Sequence, residues 1–109
     1  MRVLRFIVDG QIVSQDPTCD FSDLVPGSIG YLQAEFVFSS EWKGCVKAAS
    51  FYSASGRECG AEILKDGKTC VIPAAALAKR MFKVQVTGKR EGLKITTNKV
   101  AVSQNGGKT

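Results

Sequence analysis

Apolar and polar residues alternate over short stretches of this chain, with turn-forming residues between them. Residues 31–38 show it most cleanly. Leu32, Ala34, Phe36 and Phe38 share one face, and Gln33, Glu35 and Val37 the other. That period of two predicts a half-buried strand. Val46–Ser53 predicts a second, with Ala49 and Phe51 as its inward pair. Phe82, Val84 and Val86 alternate with Lys83, Gln85 and Thr87. Leu93, Ile95 and Thr97 follow after the turn KREG, and Val100 and Val102 resume beyond Asn98-Lys99. Near the start, Val3–Val8 and Gln11–Ser14 flank Asp9-Gly10, which predicts a hairpin with a tight type I′ turn. Ala61–Lys65 and Thr69–Ile72 flank Asp66-Gly67 in the same way and predict a second hairpin.

The stretches between are equally legible. Residues 16–30 (DPTCDFSDLVPGSIG) hold two prolines, two glycines and three aspartates, the composition of a long loop. SASGRECG reads as a turn or loop, and SQNGGKT (103–109) as a polar tail. Pro73 ends the strand before it because it lacks an N–H for a ladder. AAALAKR (74–80) is the one good helix former, good for one or two turns. About eight short strands and one helical turn predict an all-β domain, a sandwich or small barrel with Greek-key connections, spanning residues 1–109 as one unit.

A length of 109 residues with 44% hydrophobic and 23% charged side chains suits one packed core. No apolar run approaches the ~20 residues of a membrane span. The opening MRVLRFIVDG reads as a first strand rather than a leader, since Asp9 interrupts the apolar stretch. The absence of histidine removes His-based acid–base and nucleophile chemistry and the commonest metal ligand. Cysteines 19, 45, 59 and 70 form no CxxC and read as isolated, mostly buried thiols. No GxGxxG or Walker pattern occurs, so neither a cofactor nor an enzyme is expected.

Charge is unevenly placed. Six acidic residues and no basic one lie between Asp9 and Glu41, whereas thirteen basic and four acidic residues lie from Lys43 to the end. Such unevenness favours head-to-tail contact between copies or contact with an acidic partner, unless the fold interleaves the halves. The acidic loop (Asp16, Asp20, Asp23) and the later basic residues (Lys83, Lys89, Arg90, Lys94) are the candidate contact residues. The loop lacks the order of a calcium hand. The basic third, which also holds Lys79, Arg80 and Lys99, lacks the interleaved aromatics of a single-strand binder, so nucleic acid is disfavoured. The single tryptophan, Trp42, stands in the break SSEWKG between two strands. A sugar-stacking platform with Tyr31 or Tyr52 is one use for it. The favoured one is a lid across the open end of the core, with its N–H on a backbone carbonyl.

The order of features from 31 to 102 is that of a known pattern: a strand, then FSSEW-x-G, a strand ending ASFY, ILKDGKTCVIP, an Ala/Leu-rich turn, FKVQVTG and LKITTNKVAV. It resembles the immunoglobulin-like modules at the start of baseplate or fibre proteins in tailed phages of Gram-positive bacteria. Trp42 and Gly44 match the corner, Asp66 and Gly67 the turn, Cys70, Ile72 and Pro73 the strand end, and Gly88 with Thr97-Asn98 the last hairpin. The resemblance implies an immunoglobulin-like β-sandwich of seven to eight strands and a non-enzymatic virion protein folded in the host cytoplasm. It implies other capsid or tail proteins as partners, a homo-oligomer in the particle, and no membrane. Such modules usually precede a long fibre, whereas this chain stops after SQNGGKT. That implies a decoration, collar, head-fibre or baseplate/tail adaptor subunit. A carbohydrate- or host-surface-binding module and a nucleic-acid-binding barrel are the alternatives.

Overall fold

Alternation closes the core between two sheets. The computed structural model describes residues 1–105. Its elements are β1 (Arg2–Asp9), β2 (Ile12–Gln15), β3 (Leu32–Phe38), β4 (Val46–Ser53), β5 (Glu58–Ile63), β6 (Thr69–Val71), α1 (Ala74–Leu77), β7 (Met81–Arg90), β8 (Leu93–Thr96) and β9 (Val100–Ser103). Sheet A runs β2-β1-β3-β6, and sheet B runs β5-β4-β7-β8 with β9 also on β7. The chain is a mostly β sandwich with one short helix.

Inward residues of both sheets meet in one cluster. Leu4, Phe6 and Val8 come from β1, Ala34 and Phe36 from β3, Ala49 and Phe51 from β4, and Phe82, Val84 and Val86 from β7; each is buried. Burying each large side chain contributes about 1.5–3 kcal/mol. The in-register pairing Phe6↔Phe36 stacks those rings at 5.3 Å, and Phe51 meets Phe82 at 6.3 Å.

In sheet A, β1 and β3 are parallel, from Arg2↔Leu32 to Val8↔Phe38. A parallel pair needs a long crossover, and residues 16–31 supply it after β2. They are not a free loop. Phe21 packs edge-on against Phe6 at 5.4 Å, Leu24 is buried, and Gly27 N–H donates to Leu77 O at 2.7 Å. In sheet B the last edge is one strand with a break. Thr87 pairs with Thr96 and Val84 with Val100, so the two residues between them on β7 face three on its partner. That extra residue is a β-bulge at 97–99, which makes β8 and β9 a single interrupted edge.

Several expectations shift. The first turn is one residue later than predicted. Asp9 pairs with Ile12, so Gly10 and Gln11 form the loop. Only Gly10 takes a positive φ, +59°, which is the type II′ pattern rather than I′. The hairpin at Asp66-Gly67 is overturned: β5 pairs with β4 and β6 with β3, so this turn carries the chain from sheet B to sheet A. Buried Leu64 plugs into the core at that crossing. SASGRECG is a turn only at its centre, 54–57, because Ser53 belongs to β4 and Glu58, Cys59 and Gly60 to β5. Helix α1 covers 74–77, not 74–80. The polar tail begins later than predicted. Ser103 lies in β9 and Gln104 is fully buried, its Nε2 donating to Leu77 O at 3.0 Å and Lys79 O at 2.8 Å. Residues 106–109 of that predicted tail lie outside the described residues.

Candidate functional site

The corner is built around Trp42. A 3₁₀ turn at Ser40–Trp42 drops the chain from sheet A to sheet B, and Gly44 (φ +82°) reverses it into β4. Trp42 is fully buried. Its Nε1–H donates to Gly10 O at 2.9 Å, and its ring lies 5.1 Å from that of Phe38. Its other side meets Gly88 of β7 so closely that a Cβ there would stand 2.7 Å from two ring carbons. Glu41 and Lys43 stay exposed on either side. The indole is a lid on the core, and no ring face is left for a sugar. Arg90 belongs to the same corner. Its Nη1 donates to Glu41 O at 3.1 Å and Lys43 O at 2.8 Å. It is a clamp on the lid as well as a surface cation. Pro73 caps the start of α1 and packs against Gly60 of β5.

The acidic residues of loop 16–31 are occupied locally. Asp16 Oδ1 accepts from the Thr18 N–H at 2.9 Å and hydroxyl at 2.8 Å. Asp20 Oδ1 accepts from the Ser22 N–H and hydroxyl. These bonds lower both carboxyls from their usual value, Asp16 chiefly through the Thr18 N–H and Asp20 chiefly through the Ser22 hydroxyl. Asp16 also lies 3.9 Å from Arg5. Asp23 takes a left-handed φ of +58°. Their visible role is to fold the crossover.

The basic residues are split. Lys89 stands directly opposite Lys94 at one end of sheet B. Lys83 lies at the other end, between Tyr52 and Ala101. Lys99 Nζ covers the Tyr52 ring at 3.9 Å from its centroid. An open groove of about 560 Å³ near that end is lined by Arg57, Lys79, Arg80, Ser53, Ser55 and Met81, among others, without an aromatic ring. Charge differs between the sheets: the strands of sheet A balance, and those of sheet B are net basic. Strands of sheet A carry Arg2, Arg5, Asp9 and Glu35, whereas those of sheet B carry Lys47, Lys83, Lys89, Arg90, Lys94, Glu58 and Glu62.

All four cysteines are free. Cys45 and Cys70 are buried, and Cys19 and Cys59 half-buried. Burial, with Glu62 and Asp66 adding to it, pushes the Cys70 thiol up to about 12. Among the described residues no three His, Cys, Asp or Glu side chains group as a metal site would need, and no helix is long and apolar enough to cross a membrane.

The outer face of sheet A breaks the alternation rule at its central strands. Outward positions should be polar where a sheet meets water. Here they include Val3, Ile7 and Ile12, with Val37 and Val71 on β3 and β6. Val3, Ile12, Val37 and Val71 are exposed, from 37% to 58%. Between the apolar ends lies one row, Arg5, Glu35 and Thr69, where Arg5 Nε donates to Glu35 Oε1 at 3.3 Å. The outer face of sheet B is polar at its centre, with Ser50, Tyr52, Lys83, Gln85 and Thr87, and carries exposed Val46 and Ile63 at one end. Sequence reasoning did not select this face. Its signal was the unbroken FIV of residues 6–8 and the central Val37 of FVF, which are apolar on both sides of the strand.

Comparison with protein-family models, with curated proteins and with solved structures finds no match to this chain.

Proposed function

We propose that the chain is an immunoglobulin-like structural module of a tailed-phage virion, one that works by docking onto other virion proteins and not by catalysis. The strand order supports the fold half of this reading. Sheet B places β5, β4, β7 and β8/β9 as an immunoglobulin domain places C′, C, F and G, and β3 pairs with β6 as strand B pairs with E. The parallel β1–β3 pair departs from the all-antiparallel pattern.

The observation that carries the docking half is the apolar outer face on that parallel pair. Parallel strands are normally covered on both faces, and exposed valines and isoleucines at both ends of the Arg5–Glu35–Thr69 row give this face more apolar surface than a solvated sheet needs. A sugar-binding reading loses its main platform, because Trp42 is buried and Lys99 lies over Tyr52. A decoration, collar, head-fibre or baseplate/tail adaptor subunit all fit docking through such a face.

Quantitative mass spectrometry of purified particles of the encoding phage tests the proposal. The chain should be present in a copy number set by particle symmetry and should survive a high-salt wash, since an apolar contact is not screened. Its absence from washed particles, with the protein found free in the lysate, overturns the reading.

A further inference from the structure

We propose that the outer face of sheet A pairs with the same face of a second copy of this chain, about a two-fold axis parallel to the strands and midway between β1 and β3. The inference rests on the docking reading above and names the partner of that surface.

The pairing register carries the argument. β1 and β3 are the central strands of sheet A, parallel and in register along their length. Their outward residues form matched rows: Val3 beside Gln33, Arg5 beside Glu35, and Ile7 beside Val37. A two-fold axis between the strands exchanges the members of every row. It lays Arg5 over Glu35 of the second copy and Glu35 over its Arg5. It lays Ile7 over Val37 and Val37 over Ile7. An isologous contact requires this reciprocity: whatever one residue meets, its own counterpart must supply. Cation meets carboxylate in the Arg5/Glu35 row and apolar meets apolar in the Ile7/Val37 row, while the third lays Val3 over uncharged Gln33, so no like charges are opposed in the three rows. The opposed sheets would lie about 10 Å apart with strands within ~30° of each other, the ordinary aligned sheet packing.

Electrostatics fit burial. The central guanidinium already holds Glu35 at 3.3 Å and Asp16 at 3.9 Å, so no lone cation would be trapped. Basic sheet B, by contrast, would repel a copy of itself. This places self-contact on the near-neutral sheet and not between an acidic loop and a basic face.

Size sets the strength. Strands of eight, four, seven and three residues, ~3.3 Å per residue and ~4.8 Å apart, give a face of about 350 Å² per copy. That falls below the ~1,200 Å² total of a standard interface. The free dimer is therefore weak and forms only at high concentration. It becomes firm when many copies are held together.

Sedimentation velocity across a concentration series up to the millimolar range tests this, with wild type, I7K and V37E compared. Both substitutions sit on a solvent-facing surface, and unchanged circular dichroism and melting temperature show that the fold survives. Wild type should dimerise as concentration rises, and each variant alone should weaken dimerisation at least tenfold. An equimolar mixture of I7K and V37E should recover it, because the axis places the new ammonium over the new carboxylate in one row and leaves native Ile7 over native Val37 in its mate. Dimerisation unaffected by either substitution overturns the proposal, as does a mixture that recovers nothing. Wild type that stays monomeric at millimolar concentration also overturns it. That last result would leave docking to a different virion protein standing, which loss of I7K incorporation into particles would then reveal.

Discussion

A single contact, Trp42 against Gly88, shows how the smallest residue and the largest depend on each other. The indole fits because β7 offers it no side chain at position 88. The φ there is ordinary, so the glycine answers to space and not to backbone conformation. Gly88→Ala would put a methyl group 2.7 Å from Trp42 Cε3 and Cζ3 and 3.2 Å from Cys45 Cβ. Overpacking of this kind costs about 1–3 kcal/mol. We expect Gly88→Ala to destabilise by about 2–3 kcal/mol in urea unfolding, and Trp42→Phe to relieve part of that in the double variant. Strict additivity of the two changes would show that the clash is absorbed elsewhere. Gln104 is the opposite case, a polar side chain spent inside the protein. Its amide nitrogen closes the carbonyls at the end of α1, while its Oε1 has no partner among the described residues. A glutamine just after a strand, ahead of Asn and two glycines, gives no local sign of this use.

Elements divide sharply by how much of them is local. Strands β3, β4 and β7 were legible because alternation is a property of the strand itself. Partners were not. Asp66-Gly67 has the composition of a hairpin turn, yet it links strands in different sheets. Nothing within six residues tells a hairpin from a sheet-to-sheet corner; the difference lies in where Leu64 is buried. The lid role of Trp42 was legible, whereas the apolar outer face needed the parallel pairing of β1 and β3 before it stood out. The corner at Asp66 still has testable chemistry. Its carboxylate accepts from the Thr69 hydroxyl and from the N–H groups of Lys68 and Thr69. Those bonds, the Thr69 hydroxyl first, hold its pKa at about 2 against an ordinary 3.8. A depressed folded value means the contribution is complete above the unfolded pKa and is lost as pH falls toward the folded one. Asp66→Asn keeps an acceptor but cannot titrate. The stability gap between wild type and Asp66→Asn should therefore be constant above pH ~5 and close as pH falls from 3.8 to about 2, read by urea unfolding at each pH. A gap independent of pH over that window would mean the turn does not prefer the charged form.

Across the whole molecule, the lid joins what alternation alone would leave separate. Two sheets packed by apolar side chains can in principle loosen one at a time. Here the chain crosses between them at the Trp42 corner, at Asp66 and through α1, and side chains of the bulge bridge them as well. At the corner, Trp42 bonds to the β1–β2 turn of sheet A and packs on β7 of sheet B. At the bulge, Asn98 Oδ1 accepts from Val13 N–H of β2 at 2.7 Å while Thr97 Oγ1 accepts from Val86 N–H of β7 at 3.0 Å. Each stitch touches both sheets, so neither sheet can melt without breaking bonds in the other. The two should unfold as one cooperative unit. Trp42 reports on it directly, as the one tryptophan of the chain. Its native emission should be blue-shifted, in keeping with a fully buried ring. Its urea transition should coincide in midpoint and slope with far-UV circular dichroism, which averages over all strands. If the fluorescence transition came at lower urea, the lid would be opening on a sandwich still intact. The stitches would then be decoration on two independent layers rather than the lock between them.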